Sequence, residues 1–131
     1  MIGWWIIVST QSPEERDNAD LDSRRTAILA QWEIGAGGIR WLADLVTSDK
    51  ALQLAAGAYP NRYTAKAADV LPLIKGAGIR PPRDGVWIFD IDKGEKNAQF
   101  SNLPNKLEVH KERILACKID QVLTIDAWDL S

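Results

Sequence analysis

Residues 84–94 constrain the fold most tightly, because they form an alternating run, Asp-Gly-Val-Trp-Ile-Phe-Asp-Ile-Asp-Lys-Gly, with turn formers at both ends. In an extended chain Trp87, Phe89 and Ile91 point to one face and Val86, Ile88, Asp90 and Asp92 to the other. The first face belongs to a core, and the second turns acidic at its end. The run is expected to be a central strand around which the other elements assemble.

Residues 2–10 are rich in β-branched and aromatic side chains and read as a strand inside the sheet, buried on both faces. Ser12-Pro13-Glu14-Glu15 combines a capping serine, a proline at the first helical position and a glutamate able to reach back to the cap amide. A helical face then runs through Leu21, Ile28, Leu29 and Trp32, and residues 35–38 form a glycine-rich turn. Helical spacing resumes at Ile39, Leu42, Leu45 and Val46. Residues 51–56 and 62–66 flank glycine, proline and asparagine, so they are expected to form a β-hairpin. Residues 69–75 suggest a short helix with Pro72 in its first turn, and residues 93–105 a polar loop. Leu107, Lys111, Ile114, Leu115 and Lys118 share a final helical stripe, and residues 121–128 read as a last strand. With no repeat and no linker, the prediction is one α+β domain over residues 1–131. Its mixed or antiparallel sheet should have about five strands packed with helices.

A hydrophobic fraction of 46% and a charged fraction of 26% suit a globular chain with one real core, in which several of the six tryptophans serve as anchors. The single Cys117 excludes an internal disulfide, and one histidine excludes a Cys/His zinc set, so a reducing, cytoplasmic location is expected. The first ten residues lack a basic leader, and no apolar run approaches the roughly 20 residues of a membrane span. Sixteen basic against eighteen acidic residues create no global field for nucleic acid or membrane. Charge placement is more informative. Glu14, Glu15, Asp17, Asp20 and Asp22 face only Arg16, and Asp120, Asp126 and Asp129 have no basic neighbour in sequence after Lys118. By contrast, Arg62, Lys66, Lys75, Arg80 and Arg83 make the middle basic.

The motifs with chemical potential fall short. Gly35-Ala36-Gly37-Gly38-Ile39-Arg40 follows an expected helix rather than a strand, and Arg40 replaces the third glycine of a dinucleotide fingerprint. Asp90-x-Asp92-x-Gly94-Glu95 opens like a calcium loop, but Ser101 occupies the twelfth position, where a glutamate is required. His110 lies on a charged helix face without an evident orienting partner, and Cys117 lies in an apolar run. Arg62-Tyr63-Thr64 with Lys66 reads as an exposed strand, since the acidic ends oppose a nucleic-acid track. No catalytic, cofactor or metal residues are therefore assigned, and a non-enzymatic protein is expected.

The opening Gly3-Trp4-Trp5-Ile6-Ile7-Val8-Ser9-Thr10-Gln11, the segment Tyr59-Pro60-Asn61-Arg62-Tyr63-Thr64 and the tail Leu123-Thr124-Ile125-Asp126-Ala127-Trp128-Asp129 resemble bacterial immunity proteins encoded beside contact-dependent or secreted toxins. The resemblance implies a stoichiometric, cytosolic inhibitor without chemistry of its own. Its partner would be a cognate toxin protein, expected here to be a nuclease with a basic cleft that the acidic ends would steer and hold. Contact is expected at Asp126, Trp128 and Asp129, extended by Asp90 or Asp92. Trp128 is placed either at an exposed rim or in the core. Charge reversal at Asp126 and Asp129 should slow association and leave thermal stability nearly unchanged. The alternative is a small ferredoxin-like dimeric enzyme or ligand-binding domain with Arg62, Tyr63, Asp90 and His110 around a pocket.

Overall fold

The two segments richest in buried β-formers, 3–9 and 122–129, pair at the middle of a sheet, and the rest of the fold is laid against them. The computed structural model describes residues 3–35, 39–55, 61–75, 89–90 and 105–129. In chain order the elements are β1 (Gly3–Ser9), α1 (Pro13–Asn18), α2 (Leu21–Ala27), β2 (Ile28–Gly35), α3 (Arg40–Thr47), β3 (Ala51–Ala55) and β4 (Asn61–Lys66). They continue with α4 (Ala67–Val70), a 3-10 turn (Leu71–Leu73), β5 (Ile74–Lys75), β6 (Phe89–Asp90), β7 (Asn105–Val109), α5 (Lys111–Ala116) and β8 (Val122–Asp129). The fold is α+β. Its main sheet has the order β3-β4-β8-β1-β2-β7, antiparallel at every pairing, and β5 and β6 form a separate two-stranded parallel ladder.

One sheet face carries the core. Ile6 and Val8 of β1, Ala30 and Trp32 of β2, and Leu123, Ile125 and Ala127 of β8 are all fully buried, at every second position. Leu42 of α3, Val70 of α4 and Ile114 of α5 belong to the same cluster. The β1–β2 register slips between Val8 and Ser9, where Val8 faces Ala30 but Ser9 faces Ile28. That extra residue lets Leu29 join Ala30 in the core despite their adjacency.

Local signals hold at several element ends. The Ser12 hydroxyl accepts from the Glu15 amide at 3.2 Å and the Glu15 carboxylate from the Ser12 amide at 3.1 Å, closing the expected capping box. The hydrogen bond to the Ser12 backbone holds the Glu15 carboxyl below its usual range. The α3 helix ends in a Schellman arrangement, with the Lys50 amide donating to Leu45 O and the Asp49 amide to Val46 O. Asp49 there has φ 58°, a left-handed conformation that suits glycine. Asp49→Gly should stabilise the protein by about 0.5–1 kcal/mol, read as a raised midpoint in thermal unfolding. An unchanged or lowered midpoint would show that the aspartate side chain compensates for the strain.

The β3–β4 hairpin and the last strand form as expected, and β1 lies inside the sheet. Three expectations are corrected. Phe89–Asp90 does not lie in the main sheet but pairs with Ile74–Lys75, so the centre is β8–β1; the other residues of 84–94 lie outside the described set. Residues 28–35 form a strand rather than a helix, because Ile28, Ala30, Trp32 and Ile34 alternate with Gln31 and Glu33 and β1 and β7 are available on either side. Leu107 lies in edge strand β7, and α5 starts only at Lys111. Among the described residues no helix is long and apolar enough to cross a membrane.

Candidate functional site

The second face of the sheet is divided into a covered end and an open end. At the covered end, the Thr124 hydroxyl donates to Gln11 O at 2.7 Å, and Arg16 of α1 reaches down to Asp126. Ile7, Ser9, Thr124 and Asp126 are buried beneath this layer.

Asp126 is the hub of the covered end. It is 1% exposed, and its carboxylate accepts from Arg16 Nε at 2.6 Å and from Arg62 Nε and Nη2 at 2.7 and 3.2 Å. Arg62 lies directly across β4–β8 from it and also donates to both Asp17 oxygens, at 2.9 and 3.0 Å. Two cations and two anions thus close on one another, and hydrogen bonding to Asp126 raises the Arg62 pKa further. A neutral cluster of this kind, buried at Asp126 and open to solvent at Asp17, ties α1 to the sheet.

The acidic segment after Ser12 is largely spent on local structure. Glu15 completes the capping box, Asp17 pairs with Arg62, and Asp20 caps α2 by accepting from the Ser23 amide at 2.7 Å. That bond also depresses the Asp20 carboxyl pKa.

At the open end the two central strands present aromatic rings. Trp5 and Trp128 sit opposite each other across β1–β8, their rings 6.4 Å apart and inclined by 31°. Trp5 is 38% exposed and Trp128 half-buried. The Trp5 indole N–H donates to Gln31 Oε1 at 3.2 Å, Gln31 Nε2 donates to Glu108 Oε2, and Glu108 Oε1 lies 2.8 Å from His110 Nε2. Trp5, Gln31, Glu33 and Glu108 line a cleft of about 290 Å³. A chain of hydrogen bonds thus fixes an indole and a carboxylate on rigid strands at the surface.

Of the residues expected from sequence, Asp126 and Trp128 lie on this face, while Asp129 alternates to the other. Trp128 belongs to the open end, neither fully core nor a bare rim. Asp126 shares its face, as strand alternation requires, but is enclosed by Arg16 and Arg62. It is therefore not an open contact, and the expectation that its charge reversal spares stability is withdrawn. Asp129 ends β8 half-buried, in register with Trp4. Asp90 lies in the small ladder opposite Lys75, and Asp92 lies outside the described residues.

Of the residues offered for the alternative's pocket, Arg62, Tyr63 and His110 do not converge within this chain. Arg62 and Tyr63 point to opposite faces, the Tyr63 hydroxyl accepting from Gln53 at 3.3 Å, while His110 follows β7 at the far edge. His110 is not on a helix face but precedes α5 and pairs with Glu108. Burial raises the Cys117 thiol pKa, which disfavours the nucleophilic thiolate. Gly35, which opens the glycine-rich run, ends strand β2 rather than following a helix, yet β2 is antiparallel to both neighbours and makes no βαβ dinucleotide unit. No three His, Cys, Asp or Glu side chains among the described residues stand close enough to hold a metal.

Trp5, Gln31, Glu33 and Glu108 were missed from sequence. The period-two polarity of β2 marks Gln31 and Glu33, and a helical reading of that segment hides it. No family model, no curated protein and no solved structure matches this chain.

Proposed function

We propose that the protein is a stoichiometric binding protein of the immunity type, which occludes a basic surface on a toxin domain with the open end of its sheet. The observation that supports this reading is the Trp5–Trp128 pair, held rigid on the central strands beside Glu33 and Glu108. Large aromatic rings that are ordered before binding give up little entropy on association, and interface hot spots favour tryptophan with a polar surround. Carboxylates beside them favour a cationic partner and speed its approach. The covered end contributes rigidity rather than contact.

The test is co-expression with the product of the neighbouring gene, followed by sizing chromatography and a growth assay. A one-to-one complex with restored growth is expected. Absence of both complex and protection overturns the inhibitor reading.

A further inference from the structure

We propose that the cleft between Trp5, Gln31, Glu33 and Glu108 receives an arginine side chain of the partner protein; this rests on the protein-binding reading above and names the chemistry its surface selects. Charge complementarity carries the argument. Two carboxylates line the cleft, and an indole forms one wall, so both the charge and the negative face of the ring attract a cation. An anion would meet the carboxylates, and a purely apolar group would strip water from them without replacing its hydrogen bonds.

The geometry favours a planar cation over a compact one. Trp5 is fixed twice, by its N–H bond to Gln31 and by contact with the Trp128 ring, so its face is already oriented for stacking. A guanidinium can lie on that face while its edge N–H groups reach a carboxylate; an ammonium can do only one of these well. Glu108 retains capacity for this. A carboxylate offers about four acceptor positions, and Gln31 and His110 take two of those on Glu108.

The probe is a blocked hexa-arginine peptide, titrated at low salt into the isotopically labelled protein, with the Trp5 indole N–H followed by NMR and assigned through Trp5→Leu. A saturable shift of that resonance is expected, with affinity reduced about tenfold or more by Glu108→Gln, and weaker binding of hexa-lysine. An unmoved Trp5 resonance, or equal affinity in Glu108→Gln, overturns the proposal. Glu108 is an exposed residue on edge strand β7, so that variant decides the matter even if Trp5→Leu does not fold. The toxin complex separates the two readings. If it forms with unchanged affinity in Glu108→Gln but is weakened by Trp5→Leu, the inhibitor reading stands and the arginine cleft falls. If the peptide shifts Trp5 and no toxin complex forms, the cleft stands and the inhibitor reading falls.

Discussion

Asp126→Ala should destabilise the fold by about 3–5 kcal/mol, because removing one member of a buried ion pair leaves uncompensated charge behind. The Asp126 side chain is 1% exposed and that of Arg16 9%, so neither can regain water without moving α1. Arg16 Nη1 is already buried without a hydrogen-bond partner among the described residues, and Asp126 supplies the acceptor for its Nε. Arg62 would keep Asp17, whose carboxylate is well exposed, and so would be less affected. Urea unfolding of the wild type, Asp126→Ala and Asp126→Asn measures this, with a midpoint in thermal unfolding lowered by roughly 10–20 °C for the alanine. The asparagine should recover part of the loss through its remaining carbonyl acceptor. A loss below about 1 kcal/mol would mean that Arg16 swings out to solvent at little cost and that the cluster is not a tie.

Trp32→Ala should cost a comparable amount, about 3–5 kcal/mol, through lost burial and the cavity that remains. Trp32 is fully buried, lies opposite Ile6 across β1–β2, and its ring sits 6.3 Å from that of Trp41. The cavity would open between the sheet and α3, where Leu42 and Leu45 are also packed. Trp32→Phe should lose less, since most of the ring volume is kept. Denaturant curves on the three proteins check the order; equal stability of Trp32→Ala and wild type would remove Trp32 from the core. The two losses should be nearly additive, because Trp32 and Asp126 face opposite sides of the sheet.

Local rules were sufficient wherever an element is closed by its own neighbours. The Ser12 capping box, the β3–β4 hairpin and the strand character of residues 3–9 and 122–129 follow from residues a few positions apart. The α+β class followed from the same periodicities. The local rules failed at residues 28–35 because helical and extended readings of one apolar segment differ by small propensities, and pairing with β1 and β7 outweighs them. They failed again at the expected central strand, since alternation marks a strand without saying where in a sheet it lies.

Charge was the feature sequence could count but not place. Asp126 has no basic neighbour nearby in the chain, and sequence alone made it a free acid on a binding rim. Tertiary structure brings Arg16, 110 positions away, and Arg62, 64 positions away, onto its two oxygens. The open end has the same origin: Trp5, Gln31, Glu108 and Trp128 come from four strands and meet only when the register of β1 with β2 and β8, and of β2 with β7, is set. The sequence by itself determined caps, turns and the alternation of β1 and β8, because those depend on contacts within a few residues. Only the tertiary structure decided which carboxylates are sealed in and which stand at the surface, because strand pairing joins residues whose separation in the chain carries no information about their distance in space.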